Sequence, residues 1–337
     1  MMSSVQTSGV LQCCRQLCYG LTLVVLIVGC SDGIAPNSSF EVAVKGAQSA
    51  SISDDGKHTI VGSIHHGGSL WRNADGERLY NWNHKQGEYT TLLASDISAD
   101  GRWGITAGPE AIVLWDTKSG QSLRYWTAPD EILSIALSAD GQQALLGLES
   151  HGAVLFKLHQ GRMGHSFPHD NRVRSVDFSR DGSLAITGSE DYTAAVWDVS
   201  SGRKLHEVEH EDDVQMVALS PDGRLALSAA KYDRALVWET ATGKVLGEVP
   251  LAAEKLRRGV RFTAARFSDD GKQLLTGRPD QIVQLWDTTS LTPLAKWKVP
   301  KRDAWKPTSA AIVAVGFDTK GGYVAVASNG FVHRLKR

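Results

Sequence analysis

An Asp-Gly pair returns along this chain at nearly constant intervals: Asp55-Gly56, Asp100-Gly101, Asp140-Gly141, Asp181-Gly182, Asp222-Gly223 and Asp270-Gly271, with Lys320-Gly321 as a degenerate seventh. Successive glycines lie 45, 40, 41, 41, 48 and 50 residues apart. A period of that length marks one supersecondary unit that cannot bury its apolar face alone, so the units must stack on one another. Asp-Gly is also a tight-turn signal, which places a chain reversal once per unit.

Two further registers run in step with the turns. Fifteen residues after Gly56, Gly141, Gly182, Gly223 and Gly271 come Trp71, Phe156, Trp197, Trp238 and Trp286, and fourteen after Gly101 and Gly321 come Trp115 and Leu335. Eleven residues further on stand Trp82, Trp126, Phe167, Val208, Val249 and Trp297. Apolar pairs such as Val173 and Phe178, or Val214 and Leu219, precede the turns. Each unit thus holds four short apolar runs separated by turn residues, which predicts four antiparallel strands, here a to d, in an all-β chain. The constant offset makes Trp82, Trp126 and Trp297 strand residues packed between units rather than a ligand-stacking set.

The stretch "SRDGSLAITGSEDYTAAVWD" (179–198) has the look of a catalytic cassette, yet parts of it recur in the other units. Its residues resemble the WD-repeat β-propeller family: a strand, Ser-x-Asp-Gly, a strand ending Ser/Thr-Gly-Ser-x-Asp, and a strand ending Trp-Asp. The resemblance extends from Phe40 to Arg337 and implies a seven-bladed propeller. In that family a His, a Ser or Thr, an Asp and the Trp form a structural tetrad; the matching residues here are His169, Thr187, Asp191 and Trp197. Other units keep parts of it: His210, Ser228 and Trp238 in the fifth, Thr276, Asp280 and Trp286 in the sixth.

The seventh unit stops at Arg337, before its outer strand, while "FEVAVKG" (40–46) is an unassigned alternating segment near the other end. The economical expectation is that 40–46 supplies the missing strand and closes the ring. Ahead of it, residues 17–28 form an apolar run preceded by Arg15, short for a membrane span and suited to a secretory signal. The run leads into Ile27-Val28-Gly29-Cys30, which resembles a bacterial lipobox and implies lipidation of Cys30. Residues 1–29 then read as signal peptide, 30–39 as lipid anchor and flexible tether, and 40–337 as the propeller. Cys13, Cys14 and Cys18 fall in the removed part, so Cys30 would be the one mature cysteine. Ser31 rather than Asp after Cys30 favours the outer over the inner membrane in lipoproteins of this kind. The expected location is the cell envelope, facing the periplasm.

A formal net charge of −1 gives no global attraction to nucleic acid. Phosphate loops, dinucleotide fingerprints and nucleophile elbows do not occur. His58, His65, His66 and His84 gather in the first unit, but adjacent histidines in a turn do not make a metal site, and no metal or cofactor is expected. The d-to-a connections differ most among units. Measured between apolar landmarks, three are 6 residues long, while Val249 to Phe262 is 13 and Trp297 to Ile312 is 15. These two neighbours carry Lys255, Arg257, Arg258 and Arg261, then Lys301, Arg302, Trp305 and Lys306, and they open on one face. That composition points to partner binding there, by an envelope protein, an anionic glycan or a peptide. The expected function is a non-catalytic scaffold. The rival is an exported enzyme, quinoprotein-like or a hydrolase, acting at the axial mouth; "WETATGKVLGEV" (238–249) echoes a quinoprotein turn, though it also suits a c-to-d connection.

Overall fold

The computed structural model describes residues 33–337 apart from 86, 110, 128, 151, 233, 251–261, 304 and 306–309. Among these every regular element is a strand, and the strands form seven four-stranded antiparallel sheets. Blades 1 to 6 span 47–82, 94–127, 132–167, 173–209, 214–248 and 264–298, each with its strands in sequence order. Blade 7 joins Ile312–Phe317, Tyr323–Ala327 and Phe331–Leu335 to the strand Ser38–Glu41 from the other end of the chain.

The Ser-x-Asp-Gly sequence explains the a-to-b turns locally. Ser179 Oγ donates to Asp181 Oδ1 at 2.6 Å and accepts from Leu184 N at 3.0 Å, while Asp181 Oδ1 also accepts from Ser183 N. Gly182 has φ of 69°, a left-handed value that side-chain-bearing residues avoid. The same serine-to-aspartate bond recurs at Ser53–Asp55, Ser98–Asp100, Ser138–Asp140, Ser220–Asp222 and Ser268–Asp270. The turn thus satisfies its own polar groups, which is why it repeats in six of the seven blades.

The apolar registers meet between blades. Buried apolar side chains among the described residues fall into seven clusters, each shared by two neighbouring blades. The outer-strand residue of one blade packs on the Trp-position residue of the next. Trp82 stacks on Trp115 with ring centroids 5.2 Å apart, Trp126 meets Phe156 edge-on, and Phe167 packs against Trp197. Trp82 and Trp297 have no exposed surface, so neither is available to stack a ligand. Burying a side chain of this size is worth roughly 1.5–3 kcal/mol, repeated at each interface.

Ring closure takes a different register from the expected one. Residues 38–41, not 40–46, form the strand, with Phe40 opposite Val332 and Glu41 opposite Phe331. Val42 and Ala43 both donate their amides to Gly330 O, which turns the chain toward blade 1 and ends the pairing. The polar Ser38 and Ser39 are recruited because an outer strand needs backbone partners more than apolar ones; Ser39 Oγ bonds His333 Nδ1 at 2.7 Å. The stretch expected as a tether is also docked from Ile34 onward. Ile34 N donates to Lys296 O at 2.8 Å and Ile34 O accepts from Lys298 N at 3.0 Å, pairing it with the outer strand of blade 6. The unsatisfied edge of that strand is the physical reason. Cys30 and the rest of 1–32 lie outside the described residues.

Candidate functional site

In blade 4 the side chains of His169, Thr187, Asp191 and Trp197 form one hydrogen-bonded chain. Trp197 Nε1 donates to Thr187 Oγ1 at 2.8 Å, Thr187 bonds His169 Nε2 at 2.7 Å, and His169 Nδ1 donates to Asp191 Oδ2 at 2.7 Å. Asp191 accepts in addition from the amides of Asp170 and Thr193 and from Thr193 Oγ1. Burial pushes its carboxyl up, but bonds from His169 and Thr193 outweigh that and hold it well below the usual carboxylate range. Hydroxyl, imidazole and carboxylate stand in the order of a hydrolytic triad. However, Thr187 is fully buried and its oxygen already accepts from the indole, so no substrate atom can reach it. The arrangement joins strands a to c and has no room for chemistry.

The partial versions show what sequence spacing hid. His84 Nε2 lies 2.9 Å from Thr106 Oγ1, which accepts from Trp115 Nε1 at 2.8 Å. His84 therefore serves blade 2, not a histidine cluster of blade 1; the longer connection between these blades displaced it from its expected offset. The "HHGG" turn is explained by packing: Gly67 has φ of 74° and a side chain there would strike Asn83 Oδ1. In blade 5 Ser228 links His210 and Trp238, as expected. In blade 6 Trp286 donates to Thr276, but Asp280 turns to Arg278 instead of a histidine.

The axial channel, about 270 Å³, is lined at one level by Asp96 of blade 2, Asp177 of blade 4 and Arg266 of blade 6. Asp96 accepts from Ile97 N and Leu137 N, each at 2.8 Å, and Asp177 likewise from Phe178 N and Leu219 N. Each carboxyl thus ties its blade to the next. Burial pushes them up to about 7 and about 6, against the pull of these amides and of Arg266. Arg266 bonds Ile52 O and Asp54. At the a-to-b end Arg180 of blade 4 reaches Asp54 of blade 1 at 3.0 Å and Asp269 of blade 6 at 2.7 Å, crossing the channel mouth. The lining hydroxyls of Ser134 and Ser175 accept from the amides of Val176 and Val217 in the next blades. The polar groups of the channel are engaged in holding it together.

Two stretches, residues 161–198 and 258–287, match the WD40 family, described as WD domain, G-beta repeat. The chain is a seven-bladed β-propeller that carries WD40 repeats in these two stretches. Curated proteins provide no match to it. The two stretches hold the Trp197-Asp198 and Trp286-Asp287 pairs, whose aspartates receive the amides of the following c-to-d turns.

Strand alternation puts the b-to-c and d-to-a connections of the WD-repeat propeller at one end and the a-to-b and c-to-d turns at the other. Among the described residues, large apolar side chains exposed in connections all belong to the first end: Tyr192 and Tyr232 in b-to-c turns, Val44, Tyr89 and Trp305 in d-to-a connections. Lys301 is exposed there as well. Arg302, expected to reach a partner, is placed otherwise. It bonds Glu41 Oε1, Ala43 O and Asn329 O and lies over the Phe331 ring. These carbonyls and the carboxylate converge where the closing strand leaves blade 7, so the guanidinium clamps the ring. Lys255, Arg257, Arg258, Arg261 and Lys306 lie outside the described residues.

Proposed function

We propose that this propeller is a non-catalytic, lipid-anchored scaffold of the bacterial cell envelope that recognises a partner protein with its b-to-c and d-to-a face. The carrying observation is that, among the described residues, every exposed aromatic side chain in a connection lies on that face, the remaining one, Tyr125, being in an outer strand. Tyr89, Tyr192 and Tyr232 are 69%, 49% and 59% exposed, and all three sit in connections of that face. Aromatic side chains of this kind supply contact area at low entropic cost and are enriched where partners bind. Lys301, exposed on the same face, adds attraction for anionic partners; most cations of the basic loops expected at 252–261 and 298–307 lie outside the described residues. WD40 propellers generally bind other proteins, which supports the reading. The axial mouth supports an enzyme less well, because its carboxyls and hydroxyls are engaged by backbone amides of neighbouring blades.

Crosslinking in intact envelopes followed by affinity capture tests this. Tyr192→Ser combined with Tyr232→Ser should reduce recovery of the captured protein at least tenfold while leaving thermal unfolding unchanged. Equal recovery from the variant and the wild type would place recognition elsewhere.

A further inference from the structure

The N-terminal strap and the connection between blades 6 and 7 bring a second kind of surface together. Ile34, 49% exposed, is bonded to Lys296 and Lys298 at the start of that connection. Arg302 fastens the same connection to Glu41 and Ala43, next to Val44, which is 64% exposed. Three residues beyond the clamp stands Trp305, 96% exposed and the most exposed large apolar side chain among the described residues. Lys45 and Lys301 are exposed beside them. A rim that shows Ile, Val and Trp together with lysines is neither a solvated surface nor a blade interface.

The chain that leads into this rim says what covers it. Only four residue steps separate Ile34 from Cys30, and six separate it from the end of the apolar run at Val28. Fully extended, four residues reach about 14 Å. Held by lipid on Cys30, the chain keeps Ile34 within that reach of the bilayer; held by the apolar run ending at Val28, six residues keep it within about 21 Å. Tryptophan is the side chain that settles at the boundary between headgroups and acyl chains, and lysines beside it attract anionic headgroups.

We infer that the rim formed by Ile34, Val44, Lys45, Lys301 and Trp305 docks on an anionic phospholipid surface, so that the propeller lies against the membrane with blades 6 and 7 towards it. The inference rests on the membrane anchoring proposed above, and it names the anionic partner of this part of the face. Tyr192 and Tyr232, in blades 4 and 5, remain for the protein partner.

The processed full-length protein, reconstituted in phosphatidylethanolamine–phosphatidylglycerol vesicles with a lipid spin-labelled near the headgroup, tests this. Tryptophan emission should be quenched in the wild type by a component that Trp305→Phe lacks, at most about a tenth of the total, since the chain has 10 tryptophans. Lys45→Glu with Lys301→Glu should shrink that component at least twofold. A protein that floats with the vesicles but shows the same quenching with and without Trp305 overturns the docking and leaves the anchor standing. A protein that does not float overturns both. Burial of Trp305 only after envelope proteins are added would give the rim to a protein instead.

Discussion

Ser39 and His333, at opposite ends of the chain, face each other across the strand pair that closes the ring, with Ser39 Oγ 2.7 Å from His333 Nδ1. His333 has no exposed surface, and burial lowers its imidazole from the ordinary 6.5 to about 4. Because the folded value is the lower one, the unfolded chain takes up this proton more readily. The stabilisation from a neutral His333 is present above pH 6.5 and is lost as pH falls towards 4. Its size is on the order of 3 kcal/mol. His333→Gln should flatten the fall in stability between pH 6.5 and 4, as followed by denaturant titration at fixed pH. An unchanged slope would mean that His333 does not titrate with unfolding.

The channel carboxyls act with the opposite sign. Burial raises Asp96 to about 7 and Asp177 to about 6 from 3.8, so their contribution is full below pH 3.8 and is lost as pH rises through those values. Asp96→Asn keeps an acceptor for the Leu137 amide and removes the charge. It should lose less stability than the wild type between pH 5 and 8, measured by thermal unfolding across that range.

Asp191 holds four donors in place. Asp191→Ala leaves the His169 N–H and two amides without a buried acceptor and should cost about 1–3 kcal/mol. Partner recovery, scaled to folded protein, should not change. A variant that unfolds like the wild type but loses its partner would give the tetrad a functional role.

Arg180 crosses the channel mouth, but its side chain is 40% exposed and that of Asp269 75%. Exposed pairs of this kind contribute about 0–1 kcal/mol. Arg180→Ala should therefore lower the melting temperature by less than about 4 °C. It should, however, speed hydrogen exchange at the Leu137 and Leu219 amides, which face the channel through Asp96 and Asp177. Exchange at the wild-type rate would show that the Arg180 bridge does not close the channel.

Cys30→Ala should leave the precursor unprocessed or release the protein from membranes. An intact-mass spectrum of the mature protein with an unmodified Cys30 would refute lipidation.

By itself the sequence determined the repeating architecture. Turn chemistry is local, so Ser179, Asp181 and Gly182 build their reversal from neighbours in the chain, and each unit repeats it. The two apolar registers followed for the same reason, since strand alternation puts Trp197 and Val208 at set positions whatever lies around them. The blade 4 tetrad was legible because its four residues keep a regular spacing. Where spacing failed, so did legibility: the longer connection before blade 2 hid the pairing of His84 with Thr106. Tertiary structure alone decided what depends on distant parts meeting. Whether the closing strand starts at Ser38 or Phe40 was set by His333 and Gly330, some 290 residues away in the chain. Arg302 looked like a surface cation in its own loop and became a clamp only because Glu41, Ala43 and Asn329 converge on it. Arg180, which the sequence did not single out, spans the channel because Asp54 and Asp269 face it from other blades. Sequence fixes backbone pattern through near neighbours, whereas the partners of a charged side chain are fixed by ring closure, which no local window contains.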